Sequence, residues 1–303
     1  MTVYLALTAL EGDYAVTRRA PGEGLPDWLA GPGLLSVTQA SDEVSILCLA
    51  DRVPAKEVSA RGWQAVQVDT CAPLDQPGVV LAAVEPVTRA GLGIFVTSTH
   101  DRDYLLVRAA RIAQAEAAWL SAGHRVSAGG VTLRVAGSDD VETLACLHFR
   151  VWQETYARIA PPEVRLALNK ARRLAYWRER LAQDGTTVIA ERAGEAVALA
   201  ALSPASDLDG FGDAMELGHL YVAAEARGTG LGRRLLTIAR AIAGAQDGRG
   251  LVLAVVRENT PAVAFYTGQG GQVLAKRRDK GPLWPSDNLI LGWEPEDKAK
   301  ASV

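Results

Sequence analysis

Three cysteines, two methionines and four histidines in 303 residues leave little material for a metal centre or a disulfide framework. Cys48, Cys71 and Cys146 are scattered among apolar neighbours without a C-x-x-C pair, so they read as buried free thiols in a reducing compartment. His100 stands beside Asp101, but no second histidine lies near it in sequence, and no metal site is expected. No apolar run approaches the roughly 20 residues needed to cross a bilayer. The opening Met1-Thr2-Val3-Tyr4-Leu5 lacks a basic stretch and meets Glu11 and Asp13 early, which is unlike a secretory leader. Positive charge is also short: the net charge of -3 provides no draw toward nucleic acid or anionic membrane. What remains is a cytoplasmic globular protein, 49% hydrophobic and 22% charged, with a length that suits two domains.

The most informative stretch is Glu216-Leu217-Gly218-His219-Leu220-Tyr221-Val222, a short buried strand by pattern, followed by Arg227-Gly228-Thr229-Gly230-Leu231-Gly232. Residues 233–245 then carry apolar positions at helical spacing. A Gly-rich loop at this point turns its amide N–H groups toward the helix N-terminus, where free donors and the helix dipole favour a phosphate or pyrophosphate. No Gly-Lys-Ser/Thr follows, so it is not a Walker loop, and the glycine spacing differs from a dinucleotide fingerprint. A second buried strand over Leu251–Val256 leads into Arg257-Glu258-Asn259-Thr260-Pro261-Ala262-Val263-Ala264-Phe265-Tyr266, where Thr260-Pro261 starts a helix.

The first loop resembles the R/Q-x-x-G-x-G/A signature of the GNAT superfamily of N-acetyltransferases. The second segment is similar to that family's strand–Asn-x-x-Ala-x-x-Phe-Tyr run, in the family's order and spacing. The resemblance implies acetyl-CoA as substrate, with Arg227, Gly228, Thr229, Gly230, Leu231 and Gly232 around its pyrophosphate and Asn259 and Phe265 along its arm. It also implies a main-chain donor for the thioester carbonyl around Leu220, Tyr221 and Val222. Tyr266 is the expected proton donor to the departing thiolate. Deprotonating a free lysine at pH 7 costs roughly 4–5 kcal/mol, so a base is useful. Glu216 stands at the spacing of the catalytic glutamate in the histone-acetylating branch, and His219 competes for that role. One departure is Gly270-Gly271 where the family commonly has Gly-Phe, which leaves the start of the next strand open. Trp152, Thr155 and Tyr156 line the acceptor groove by family likeness, or serve equally well as core.

Ahead of this region a helix-like stretch from about Leu106 to Leu120 stops at Gly123, and small residues lead to a strand at Val131–Val135. The expected division is 1–125, a linker over 126–130, a GNAT domain over 131–295 and a disordered tail over 296–303. Within the first part, a shift of sixty lays Leu34–Thr38 over Ile94–Ser98 and Glu43–Leu47 over Asp103–Val107. Each copy reads as two strands joined by a polar turn, and Gly78–Val84 supplies a helix before the second. Pro86 is expected to kink or shorten that helix. The arrangement resembles a pair of ACT units, and Ser98-Thr99-His100-Asp101-Arg102-Asp103-Tyr104 is similar to a run in arginine sensors of the CASTOR type. The expected fold is therefore α/β (α+β): two small ACT-like βαββ units ahead of a GNAT mixed sheet flanked by helices.

A free amino acid needs amides for its carboxylate and an acidic group for its ammonium. Gly78 and Val79 at a helix start, and Asp103 at a strand start, are the candidates, with Ser45, Thr99 and His100 closing the site. The combination resembles the amino-acid-regulated protein lysine acetyltransferases of actinobacteria, whose targets are acyl-CoA synthetases and related enzymes. The expected partners are thus a protein carrying an acceptor lysine, a free amino acid as effector and a second copy in a homodimer. A small-molecule acetyltransferase with feedback control, and a non-catalytic sensor, are the alternatives.

Overall fold

The computed structural model describes residues 3–69, 76–205, 208, 210–246, 249–281 and 284–294; Cys71 and the expected tail over 296–303 lie outside them. Its contacts divide the chain into two compact units, Met1–Gly130 and Val131–Val303.

In the first unit, strands β1 (Ala6–Ala9), β2 (Tyr14–Arg19), β3 (Ser36–Gln39), β4 (Val44–Leu49) and β5 (Ser59–Val68) precede helix α1 (Val79–Arg89). Strands β6 (Ile94–Ser98) and β7 (Asp103–Arg108), helix α2 (Ile112–Ser121) and strand β8 (Arg125–Ala128) follow. The repeat is visible in the pairing. β4 lies between β2 and β3, and β7 lies between β5 and β6, all antiparallel. An antiparallel β2–β5 pair joins the two halves. The outer strands curl toward each other, so that Ser36 Oγ on β3 lies 3.1 Å from Thr97 Oγ1 on β6. Tyr14, Leu47, Ala65 and Leu106 fill the space so enclosed.

Three details differ from the sequence expectation. The first βαββ copy has only a turn of 3-10 helix, Asp27–Leu29, where the second has α1. The second helix starts at Ile112 and not near Leu106, because Leu105, Leu106 and Val107 are buried in β7 between β5 and β6. Residues 125–128, assigned largely to the linker, form β8, which runs parallel to β1 with buried Val126 opposite Leu7.

Pro86 does not end α1, which continues to Arg89. A proline inside a helix leaves the carbonyl four residues earlier without its amide donor. That carbonyl belongs to Ala82, and Nε2 of His124 donates to it at 2.9 Å. Nδ1 of the same ring accepts the N–H of Leu5 at 3.2 Å, and Nε1 of Trp119 donates to the next carbonyl, Ala83, at 2.7 Å. Side chains from beyond the helix thus satisfy what the proline leaves open.

The second unit runs β9 (Val131–Val135), α3 (Val141–Thr155), α4 (Pro162–Ala167), α5 (Lys170–Arg180), β10 (Thr186–Arg192), β11 (Glu195–Pro204) and β12 (Met215–Val222). It continues through α6 (Leu231–Ala245), β13 (Leu251–Val256), α7 (Thr260–Gly268), β14 (Gln272–Asp279) and β15 (Ser286–Trp293). The strand order is β9-β10-β11-β12-β13-β15-β14, antiparallel except for β12 with β13. Ile189, Leu199 and Tyr221 lie side by side on neighbouring strands and pack against Leu144, Val151 and Trp177 of α3 and α5. Side chains alternate across a strand, so Val222 projects from the other face, and there a Cβ on Gly232 of α6 would lie 3.7 Å from it.

Cys146 is exposed, contrary to the expectation of a buried thiol, because its neighbours Leu144, Ala145, Leu147 and His148 take the inward side of α3. The Gly270-Gly271 departure also has a cause. A Cβ at Gly271 would meet the Trp293 ring at 2.7 Å and the carbonyl of Tyr266 at 2.9 Å. Trp293 takes up this room and donates its indole N–H to Gln269 O at 2.9 Å, and β14 begins directly after, at Gln272.

Candidate active site

β12 and β13 stay paired only at Met215–Leu251 and Glu216–Val252, and then part. On its other side β12 keeps its bonds to β11 as far as Val222, with the register slipping by one residue at Gly218. Such a bulge bends a strand and increases its twist. The parted strands enclose a cleft of about 970 Å³, walled by residues 217–222 of β12 and Leu253–Val255 of β13.

One end of the cleft is the N-terminus of α6. Gly230 caps that helix in the left-handed conformation, φ 84°, and Gly228 has φ 76°. No atom lies within 4 Å of a Cβ built at either position, so the backbone is bare to an approaching group. The first N–H groups of a helix have no partner within it, and the dipole adds positive potential there. A pyrophosphate fits this loop. Arg227 is fixed across its mouth: Nε donates to Val222 O at 3.0 Å, and the guanidinium lies 3.6 Å from Glu154. Thr229 Oγ1 donates to Ala226 O at 2.8 Å, and Leu231 is buried, so these two shape the loop from behind and do not line the cleft.

The middle of the cleft is lined by Leu220, Tyr221, Val222, Asn259, Phe265 and Tyr266. Asn259 accepts the N–H of Ala262 at 3.4 Å to cap α7, and it also hydrogen-bonds Tyr156. Burial pushes the Tyr266 phenol well above its ordinary pKa, so it stays protonated at neutral pH. Tyr156 lines the cleft and stacks on Trp152 with ring centroids 5.0 Å apart, while Trp152 itself is packed with Ala160 and Val164. Of the three acceptor-side candidates, Thr155 and Tyr156 face the cleft and Trp152 supports them.

Glu216 sits at the last paired position of β12, one residue before the cleft lining begins. His219 is in the lining, and its Nε2 lies 2.6 Å from the hydroxyl of Tyr176. Burial, with the charges of Arg173 and Arg180, lowers the His219 pKa to about 3. The Tyr176 phenol is raised, mainly by burial and also by the Glu216 carboxylate, so that carboxylate is felt at the cleft through Tyr176. His148 completes the cluster, accepting the Trp177 indole N–H at 3.2 Å with its ring centroid 4.8 Å from both His219 and Tyr221. Sequence reasoning missed His148, Arg173, Tyr176 and Trp177. Arg173, Tyr176, Trp177 and Arg180 recur at one-face helical spacing, a signal that was there to be read.

The six residues assigned to an amino-acid effector lie in three places in the first unit. Gly78, φ 90°, caps α1, which Val79 begins. Asp103 is opposite Ser98 in the β6–β7 hairpin and accepts its hydroxyl at 2.6 Å. Thr99 and His100 are exposed in that hairpin's turn, His100 beside Asp101 at 2.7 Å. Ser45 lies on β4 between Arg18 and Thr38. Among the described residues no group of His, Cys, Asp and Glu could hold a metal ion, and no helix is long and apolar enough to cross a membrane.

Residues 149–270 match the model of the acetyltransferase (GNAT) family. Residues 58–118 match the ACT domain model, and 12–56 match a model described as an N-terminal domain. No curated protein matches the chain. Among solved structures, an Agrobacterium tumefaciens protein is 35% identical over 42% of this chain and 94% of its own, with a TM-score of 0.40. A PaiA N-acetyltransferase from Thermoplasma acidophilum, in complex with coenzyme A, is 22% identical over 54% of this chain and 98% of its own, TM-score 0.43. A ribosomal-protein-alanine N-acetyltransferase from Brucella melitensis is 24% identical over 54% and 98%, TM-score 0.41. The glycine loop, the parted strands and the two family models agree: the chain carries an acetyltransferase domain of the GNAT family and, in its N-terminal half, an ACT domain.

Proposed function

We propose that this enzyme transfers the acetyl group of acetyl-CoA directly to a primary amine, at a rate set by a free amino acid bound to its N-terminal unit. The observation that carries the first part is the cleft itself: a bare helix N-terminus at one end, a protonated Tyr266 in the wall and parted strands between. The amine nitrogen attacks the thioester carbonyl, the C–S bond breaks, and Tyr266 gives its proton to the thiolate. Main-chain N–H groups around Tyr221 and Val222 take the negative charge that grows on the carbonyl oxygen. Glu216 is the final acceptor of the amine's proton. His219, held neutral with a pKa of about 3, makes a weak base and serves better as a link between the cleft and the Tyr176–Glu216 pair.

Two classes of amine fit this chemistry. A lysine of a metabolic enzyme such as an acyl-CoA synthetase is the acceptor that the domain combination suggests. A small amine is the other.

The effector half of the reading rests on the ACT domain match and on the left-handed Gly78 at the start of α1. Its test is a thermal-shift screen of the twenty amino acids, with and without acetyl-CoA, on wild type and Asp103→Ala. If an amino acid that raises the midpoint shifts acetyl-CoA affinity, linkage requires acetyl-CoA to shift the amino acid's affinity by the same factor, typically 5–150-fold. Asp103→Ala should remove the response and leave the basal rate. Absence of binding by any amino acid would remove the effector.

A further inference from the structure

Toward the start of β12, away from the α6 loop, the strand gives Leu217, Gly218, His219 and Tyr221 to the lining of the cleft, and none of them carries a negative charge. Among the described residues that line the cleft, Glu154 has the one carboxylate, and it lies 3.6 Å from Arg227 at the loop. Arg158, Arg227 and Arg233 make the lining cationic as a whole, and Glu216 stands outside it. The ring faces that could hold an ammonium instead are covered. His219 stacks on Tyr221 with centroids 5.4 Å apart, the His148 ring is 4.8 Å from each, and Tyr156 stacks on Trp152 at 5.0 Å. Trp152 already has the Arg173 guanidinium 5.2 Å from its centre. His219 shows what this does to a cation: burial, with the charges of Arg173 and Arg180 on α5, brings its pKa down to about 3. An ammonium set beside that ring would lose its water near the same two arginines.

We propose that the preferred acceptor is a weakly basic amine that enters the cleft already neutral, an α-amino group or an aromatic amine, and not the ε-amine of lysine. The inference deepens the acetyl-transfer reading above and rests on it. The ordinary pKa is about 10.4 for lysine and about 7.7–8.0 for an α-amine, so at pH 7 the neutral fraction of the α-amine is larger by on the order of 10²–10³-fold. A lining with a free carboxylate could hold the lysine cation and deprotonate it in place, whereas this one offers neutral rings. The neutral nitrogen bonds to the acetyl carbon, the C–S bond breaks, and Tyr266 protonates the sulfur. The proton that the nitrogen then loses passes to Glu216 and, through solvent, restores Tyr266.

The test gives the full chain, saturated with acetyl-CoA, three panels of acceptors: dipeptides with a free α-amine and no lysine, N-acetylated lysine peptides, and aromatic amines led by aniline. None of these is a free amino acid, so an effector response of the first unit does not enter the comparison. Thiol release reports kcat/KM from about pH 6.5 to about pH 9.5. At pH 7 the best dipeptide or the best aromatic amine should exceed every lysine peptide by on the order of 10²-fold or more. A lead by the dipeptides points to a polypeptide N-terminus, and a lead by the aromatic amines to a small molecule. The dipeptide values should level off above about pH 8, while those of any lysine peptide climb about tenfold per pH unit, following the neutral fraction. Lysine peptides that match or beat the other panels at pH 7, or whose kcat/KM is flat between about pH 7 and about pH 9, overturn the proposal, as does turnover of none of the panels. Calorimetry keeps the two readings apart: failure of the chain to bind acetyl-CoA would sink the acetyl-transfer reading itself.

Discussion

The hydroxyl of Tyr176 on α5 lies 2.6 Å from Nε2 of His219 on β12, a bond that ties a helix to the wall of the cleft. It links two residues 43 positions apart, and it places the histidine among rings and arginines that forbid it a charge. His148 is held neutral by the same enclosure, with His219 itself adding to the cost of charging it.

This neutrality gives a pH dependence with a definite sign. An unfolded histidine titrates near 6.5, whereas folded His219 does so at about 3 and His148 also well below normal. Below pH 6.5 the unfolded chain therefore binds more protons than the folded one, and stability falls as pH falls. Above that it is flat for these groups. Denaturant melts between pH 8 and pH 4.5 should show it, and His219→Gln should make the acid limb shallower by on the order of 1 kcal/mol per pH unit. An identical slope in the mutant would mean that His219 is charged in the native state.

At the loop, Gly230→Glu puts a side chain and a negative charge where Gly230 now leaves open space at φ 84°. Calorimetry should detect no acetyl-CoA binding. Gly230→Ala separates the causes: the left-handed backbone costs about 1–2 kcal/mol of stability for a non-glycine residue, while binding should survive. Binding retained by the glutamate variant would remove the pyrophosphate from this loop.

Glu216→Gln should leave acetyl-CoA affinity intact and lower kcat by about 10²–10⁴-fold if base catalysis dominates. The residue stands outside the lining of the cleft, so the loop proposed to hold the coenzyme is untouched. A loss smaller than tenfold would transfer the role to His219 or to water. Tyr266→Phe should also slow turnover with little change in acetyl-CoA affinity, since only the proton donor is removed.

In the first unit, His124→Ala leaves both the Ala82 carbonyl and the Leu5 N–H without their partner. An unsatisfied buried group costs about 1–3 kcal/mol, so a loss of several kcal/mol is expected in chemical unfolding. Pro86→Ala restores an amide donor to Ala82, and the double mutant should recover part of the loss. Strict additivity of the two changes would show that the histidine does not serve that carbonyl.

Much of the fold was legible because its signals are local. Leu251–Val256 is an apolar run and Val131–Val135 alternates apolar and polar residues, and both form strands with those bounds. The sixty-residue repeat surfaced as two hairpins whose pairing order is the same. Where local pattern misled, tertiary contact had the deciding voice. Residues 125–128 looked like linker but found an open edge on β1, and Leu106 and Val107, read both as the end of a repeat strand and as the start of a helix, lie in a strand between two others. Pro86 stays inside a helix because a histidine distant in sequence takes up its orphan carbonyl.

The glycines of Arg227–Gly232 and the Asn259–Tyr266 run determined by themselves the loop and helix start to which the coenzyme is assigned in the proposed function, since left-handed turns and helix starts are written in a few adjacent residues. The acceptor end was decided only by the fold. His148, Arg173, Tyr176 and His219 come from two helices and a strand, each an ordinary amphipathic segment when read alone. The neutrality of the two histidines follows from packing that shields them from water, and burial of that kind is a property of the assembled sheet and helices.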